Sequence, residues 1–326
     1  MIASETPSDL LQEWSTVLGH HPHVGPEQPG RDLWPVTAED GREYVLKRLG
    51  PWRNLPVADQ ARILAHLSRS GVEVAEFVIT DDARLFAGEV EDSFILLPHL
   101  AHDRIDPAES LPVEGLVGRS VALLHQALAA YPWSANSYRE LITESLDGEL
   151  LLPDDVRELF APQRAEVTAA IDPLELQLVH GDLTPDNVLV SRSEGSAAFI
   201  DLDHLPLAPR VWDIGKYLSR RQRRLPPAAA LENVSRFVAG YHHASALSEP
   251  ELRALPAAIT AINLLEASWT TRILTGRLER RLLPAQKAEL EPTLDALRWQ
   301  FRHEPDLADA VRAGVDRASS PEAAAR

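Results

Sequence analysis

Along the first hundred residues the apolar positions keep a short, strand-like spacing that is interrupted once by a helical stripe. Asp32–Thr37 and Glu43–Arg48 read as two strands, and Ala38-Glu39-Asp40-Gly41 between them has the Asp-Gly chemistry of a tight hairpin turn. Ahead of them, residues 8–18 read as a short helix, and Gly19 to Gly30 as a loop rich in His, Pro and Gly. Pro56 to Ser70 changes period. Ile63, Leu64 and Leu67 fall on one helical stripe there, and Gly71 suits the left-handed residue that ends a helix. Glu76–Thr80 and Ser93–Leu97 return to strand, the second broken off by Pro98. The expected product is a small, half-buried sheet with one inserted helix.

Beyond about His102 the pattern turns helical, which divides the chain into residues 1–100 and 101–326. Val113–Ala130 is amphipathic, and most of the chain after Asp203 reads as helices parted by Pro-containing loops, the apolar Ile259–Leu274 among them. A compact β patch interrupts the helices. Leu176–His180 leads into a loop, and Asn187–Ser191 and Ala197–Leu202 form a hairpin around a turn at Arg192–Ser196. Ala318–Arg326 is small and polar, a frayed tail.

Composition narrows the classes. Hydrophobic residues make up 44% and charged residues 25%, as in an ordinary globular protein. Cysteine is absent, which excludes disulfides, zinc-thiolate sites and thiol catalysis and suits a reducing cytoplasm. The N-terminal stretch is acidic, with neither a basic region nor an apolar core, so no secretory signal is expected. No apolar run approaches the ~18 residues of a membrane helix, so no membrane partner is expected. A net charge of -17 argues against general nucleic-acid binding. The charge is nevertheless segregated: Leu205 to Leu282 holds twelve Lys or Arg and six acids, a balance of +6, against -23 for the rest.

The chemistry concentrates in the β patch, where His180-Gly181-Asp182-Leu183-Thr184-Pro185-Asp186-Asn187 is followed by Ile200-Asp201-Leu202-Asp203. Phosphoryl transfer passes through a loose transition state, so a protein catalyses it mainly by positioning reactants and neutralising charge. The residue types fit that task. Asp182, where the loop leaves its strand, suits a group that accepts or aims the proton of an acceptor hydroxyl. Asn187 offers a neutral oxygen to Mg²⁺, and Asp201 a hard anionic ligand able to bridge metal and phosphates. Asp203, two residues on, joins the metal shell if the strand continues; otherwise it caps the next turn. Lys47, on an early strand in Tyr44-Val45-Leu46-Lys47, suits a lysine that pairs with the α- and β-phosphates of ATP.

His-Gly-Asp-x-x-x-x-Asn, then Ile-Asp-x-Asp, then Trp212-Asp213-Ile214-Gly215-Lys216, resembles the aminoglycoside phosphotransferase and choline kinase superfamily. The likeness spans most of the chain, including the Lys47 strand and the Gly118–His125 helix segment. It implies an α+β, bilobal protein-kinase-like fold, with a small β-rich nucleotide-binding lobe and a larger, mostly helical catalytic and acceptor-binding lobe. It implies Asp182 as catalytic base or hydroxyl-orienting residue, Asn187 and Asp201 as metal ligands, Lys47 on the nucleotide phosphates, and Asp213 as a brace that accepts backbone N–H bonds from the catalytic loop. The few residues from Asp203 to Trp212 leave no room for a regulated activation loop. Two departures stand out. Where the lysine's partner is usually a Glu, this chain aligns Gln60 beside Asp59, and Asp59 is the candidate substitute. The phosphate-covering loop, Gly25-Pro26-Glu27-Gln28-Pro29-Gly30, keeps Gly25 and Gly30 at its ends but carries two prolines inside.

Other residues have a plain reading beside a functional one. His20, His21 and His23 read as a flexible loop rather than a metal cluster, since no acid lies at ligand spacing. His180 and His125 read as packed structural residues, and Glu266 and Trp269 as acceptor-pocket lining or as core. The +6 block has the wrong sign for a polycationic aminoglycoside. It favours a neutral or anionic small-molecule hydroxyl acceptor, with ATP and Mg²⁺ as nucleotide and cation. Two alternatives stand. One is a substrate peptide phosphorylated on Ser or Thr in a tailoring pathway, with an acidic partner protein on the Arg220–Arg224 and Arg277–Arg281 patches. The other is a nucleotide-binding pseudokinase scaffold.

Overall fold

In the computed structural model, residues 7–28, 32–50, 55–89, 92–105, 113–132, 146, 148–279, 282 and 284–320 are described. The chain separates into two compact units, Met1–Ala101 and His102–Arg326. No helix among the described residues is long and apolar enough to cross a membrane.

The first unit is built on a five-stranded antiparallel sheet. Its strands are β1 (His23–Val24), β2 (Leu33–Thr37), β3 (Glu43–Arg48), β5 (Ala87–Glu89) and β6 (Asp92–Pro98), in the order β1-β2-β3-β6-β5. A short β4 (Glu73–Val74) follows the helix Val57–Arg69. The Ala38–Gly41 turn closes as its sequence predicts. The Gly41 N–H reaches the Ala38 carbonyl at 3.0 Å, and Gly41 takes the positive φ of 85° that favours glycine. Alternation along β3 buries Tyr44 and Leu46 on one face, where Val36, Phe94 and Leu96 meet Leu11, Trp14 and Leu18 from the N-terminal helical turns.

Two strand expectations in this unit are corrected. The segment from Gly19 to Gly30 is not wholly loop: His23–Val24 pairs with Val36 and Thr37, and Gln28 bridges Leu33. An edge strand bonds on one side only, so it needs neither a second apolar face nor freedom from proline. Glu76–Thr80 is not a strand; Val78 alone bridges Leu96. The Val78 carbonyl is taken by the Trp14 indole at 2.8 Å, which diverts an acceptor a ladder would use.

The second unit is mostly helical. Val113–Ala129 packs on Pro227–Ala244, which in turn packs on Glu304–Ala318, while Val211–Gln222 packs on Glu249–Leu274. Glycine lets the first pair approach at backbone distance. A Cβ on Gly118 would lie 2.1 Å from the Phe237 carbonyl oxygen, and one on Gly240 would lie 1.9 Å from that of Gly115. Glu249–Leu274 starts ten residues before the expected Ile259, because Ser248 and Glu251 form a reciprocal capping box at its N-terminus.

The β patch sits among these helices. β9 (Val188–Ser191) and β10 (Ser196–Phe199) form the expected hairpin, with β7 (Asp103–Arg104) on the far side of β9. β8 (Gln177–Leu178) pairs with β11 (Leu207–Ala208). β10 ends at Phe199, short of the expected Leu202, since Asp201 adopts a left-handed φ of 64° that no strand contains. Asp203 is therefore not placed by strand alternation.

The interhelical glycines give a direct test. Gly240→Val drives a branched side chain into the Gly115 backbone, and thermal or urea denaturation is expected to show a loss of about 3 kcal/mol.

Candidate active site

The loop between β8 and β9 carries the motif, and its shape depends on a buried carboxylate. Asp213, in the first turn of Val211–Gln222, is fully buried. Its Oδ2 accepts the His180 N–H at 2.7 Å and its Oδ1 the Gly181 N–H at 2.9 Å. His125 Nε2 lies 3.1 Å from Oδ2, and His125 Nδ1 lies 2.8 Å from the Tyr241 hydroxyl. Burial alone would raise this carboxyl's pKa, but His125, His180 and the donated N–H bonds hold it below the usual carboxylate value. Gly181 has φ 84°, and a Cβ there would meet Pro206 Cδ at 2.5 Å, so the turn into Asp182 is open to glycine alone.

Around this anchor the loop fastens itself. His180 Nδ1 accepts the Asp182 N–H at 3.3 Å, which leaves its Nε2 to donate to the Ile200 carbonyl at 3.0 Å. Asn187 is buried at the end of a 3₁₀ turn and donates its amide N–H to the Asp182 carbonyl at 2.9 Å. That bond commits the nitrogen of the amide and leaves its oxygen as the group for another ligand. The Ile200 N–H bonds to the Asn187 carbonyl at 3.1 Å, one residue from Asp201. Asp182, Asn187 and Asp201 are thus tied through one short backbone network. Asp201 is exposed, in a left-handed conformation that costs a non-glycine residue about 1 kcal/mol.

A fourth side chain joins them that the sequence reading quoted in a motif without giving it a role. Lys216, one turn beyond Asp213, places Nζ 3.4 Å from Asp182 Oδ1 and 2.6 Å from Glu266 Oε1. Burial would lower the Lys216 pKa, but the two carboxylates outweigh it and hold it above its usual value. Glu266 also receives Arg220 Nη2 at 3.0 Å and an ion pair from Arg223. Burial works against its charge, yet Lys216, Arg223 and Arg220 hold its carboxyl far below the usual range. The one signal in the sequence was helical spacing: Asp213, Lys216 and Arg220 lie three and four residues apart, on one face.

This arrangement corrects the reading of the basic block. Arg220–Arg224 is not a free cationic surface. Arg221 is 1% exposed and bonds Glu114 at 2.7 Å, and Arg223 is equally buried against Glu266 and Asn263. Arg224 Nη2 lies 2.7 Å from Glu289. Arg277 pairs with Glu149 at 3.4 Å, while Arg280 and Arg281 lie outside the described residues. The cations of the Arg220–Arg224 run are thus engaged by carboxylates of their own unit, which weakens the case for an acidic partner on that run.

In the first unit, Lys47 lies on β3 between Leu33 and Ile95, on the face opposite Tyr44 and Leu46. Asp59 gives its carboxylate to Arg62 Nη1 at 2.6 Å on its own helix, whereas Gln60 joins the buried stripe of Ile63, Leu64 and Leu67. Gly25 donates its N–H to the Pro35 carbonyl at 2.8 Å, and Gly30 lies outside the described residues. His20, His21 and His23 line a cavity of about 650 Å³ with Leu11, Ser15 and Val24. Its wall comes from residues 11–24 and holds none of the motif residues.

Comparison with known proteins bears on this geometry. The model of the phosphotransferase enzyme family (APH) matches residues 31–255, more than half of the chain. The chain belongs to that family. It is accordingly a kinase, a phosphotransferase acting on small-molecule hydroxyls, and kinases of this family use a nucleotide with a divalent cation. The aminoglycoside phosphotransferase from Alicyclobacillus acidocaldarius subsp. acidocaldarius DSM 446 superposes with a TM-score of 0.65 at 17% identity, covering 98% of each chain. A microcompartment-associated aminopropanol kinase gives 0.70 at 16% identity, over 93% of this chain and 98% of its own. The amicoumacin kinase hAmiN, solved with AMP-PNP, Ca²⁺ and Ami, gives 0.64 at 18% identity, over 85% and 88%. At these identities the likeness establishes the kinase-like α+β fold. No curated protein sequence matches the chain.

Two outcomes follow. Asp213→Ala strips the His180 and Gly181 N–H groups of their acceptor, and denaturation is expected to show a loss of about 3 kcal/mol together with a fall in turnover. Asp213 and Glu266 have depressed folded-state pKa values, so the unfolded chain takes up protons first. Their contribution is therefore complete above the ordinary values of 3.8 and 4.5 and is lost as pH falls below them. Urea midpoints measured from pH 7 downward should drop in that acid window, and Glu266→Gln, less stable at neutral pH, should show a shallower drop.

Proposed function

We propose that the protein is an ATP- and Mg²⁺-dependent O-phosphotransferase that phosphorylates a hydroxyl of a small, antibiotic-like or biosynthetic molecule. The observation that carries this reading is the Asp182 loop itself. Asp213 and the glycine at 181 hold it rigid, while the Asn187 amide is locked to the Asp182 backbone at 2.9 Å. Asp182 accepts or aims the proton of the attacking hydroxyl. Rigidity is what the chemistry requires, because the gain comes from holding reactants in register rather than from covalent participation.

The donor set suits a hard cation. The Asn187 amide oxygen and the Asp201 carboxylate supply oxygen ligands, with Asp203 a third candidate, and neither sulfur nor imidazole stands among them. Such a cation, when bound, neutralises charge building on the β- and γ-phosphate oxygens. Lys47 is assigned to the α- and β-phosphates, and the Gly25–Gly30 segment to covering them. Within its unit Asp59 is engaged by Arg62, and Gln60 lies in the buried stripe of the same helix.

Three substitutions test this assignment in a coupled ATP-turnover assay. Asp182→Asn should lower the rate by about 10²–10⁴-fold while leaving nucleotide binding near wild type. Asn187→Ala and Asp201→Ala should raise the Mg²⁺ concentration needed for half-maximal rate roughly 10–100-fold. Unchanged Mg²⁺ dependence in both would remove the metal assignment.

A further inference from the structure

We propose that the acceptor carries an oxyanion beside the hydroxyl to be phosphorylated, and that Lys216 and Arg220 receive it. The inference rests on the kinase reading above, which sets the reacting hydroxyl at Asp182.

The geometry brings the two cations to the right place. Lys216 lies 3.4 Å from Asp182, so its ammonium borders the position of the reacting oxygen. Arg220 stands one helical turn further along Val211–Gln222 and shares Glu266 with it. Both are part-buried yet open to a ligand, with side chains 17% and 27% exposed.

The charge count gives the sign. Among the described residues Lys216, Arg220, Arg223 and Arg224 pair with Glu266, Glu289 and Asp182. Four cations against three carboxylates leave a surplus of one positive charge in a half-buried corner, where it is screened less than on an open surface.

Hydrogen bonding points the same way from independent atoms. Arg220 Nε and Asn263 Nδ2 are buried donors with no hydrogen-bond partner among the described residues. Asn263 is fully buried, and its own oxygen is occupied by Arg223. Within this cluster the unbonded acceptor is Glu289 Oε2, which is 3.9 Å from the Arg220 guanidinium. Buried donors left over in a cationic corner call for acceptor oxygens. A carboxylate or a phosphate supplies them in the planar or forked geometry that guanidinium matches. A polyamine would add donors and positive charge where both are already in excess.

The test uses the full chain saturated with Mg²⁺ and a non-hydrolysable ATP analogue, titrated calorimetrically with four probes on one carbon skeleton. These are glycerate, glycerol 3-phosphate, glycerol and 3-amino-1,2-propanediol. At least one anionic probe should bind about tenfold or more tightly than the neutral and cationic ones, and which of the two does so tells carboxylate from phosphate. Arg220→Gln should weaken that binding roughly fivefold. Glu289→Gln, which removes a competing carboxylate, should strengthen it roughly twofold, and this arm decides the matter if Arg220→Gln does not fold. Equal or weaker binding of both anions, including no detectable binding of any probe, overturns the proposal. So does anion binding that is untouched in a folded Arg220→Gln protein. The kinase reading fails by a different result, Mg-ATP turnover that survives Asp182→Asn.

Discussion

A carboxylate buried without access to water is costly unless every lone pair it presents is answered. Asp213 is such a group, and the loop that carries Asp182 supplies the answer, through the backbone N–H groups of His180 and Gly181. The dependence runs both ways: the loop keeps its shape because the carboxylate needs it there. Behind Asp213 the support continues in one connected series. His125 bonds Tyr241, the Arg210 guanidinium lies 5.6 Å over the Tyr241 ring, and Arg210 pairs with Glu251. Glu251 in turn closes the capping box that starts the longest helix. A helix cap and the loop that carries Asp182 therefore belong to one polar network, and networks of this kind rigidify when every member is satisfied.

The cationic segment after Asp203 shows how a charge count misleads when it is read along the chain. Two of its arginines face inward, toward carboxylates contributed by remote positions: Glu114 meets Arg221 from 107 residues away and Glu266 meets Arg223 from 43. Around Lys216 and Arg220 a small positive surplus remains at one corner of the unit. Lys216 matters for the same reason. It is a buried cation between two carboxylates, the structural Glu266 and the proposed base Asp182, so whatever binds at Asp182 meets its field at short range.

Much of the architecture was legible in the sequence wherever local chemistry decides the outcome. β3 runs from Glu43 to Arg48 as its alternation predicts, Val113–Ala129 ends one residue before its predicted end, and the Asp-Gly turn closes as expected. The brace at Asp213 was expected only from the family resemblance, and the structure places it as that resemblance implied. The misses share a cause. β1 escaped notice because an edge strand needs no apolar alternation, and Glu76–Thr80 lost its ladder because a distant tryptophan claimed the Val78 carbonyl. The strand at Ala197 stops early because Asp201 turns left-handed, a choice made by the packed loop rather than by aspartate's own preference.

The amino-acid order by itself determined the reaction class, since Asp182, Asn187 and Asp201 at their spacing belong to a loop and hairpin that nearest-neighbour chemistry can form. It also determined most of the elements, since periodicity is a property of adjacent residues. Only the tertiary structure decided that Lys216 stands beside Asp182, and that Arg221 and Arg223 meet the remote Glu114 and Glu266. The reason is physical: electrostatic and hydrogen-bond partners are chosen by distance in space, and packing brings together residues whose separation along the chain carries no trace of the meeting.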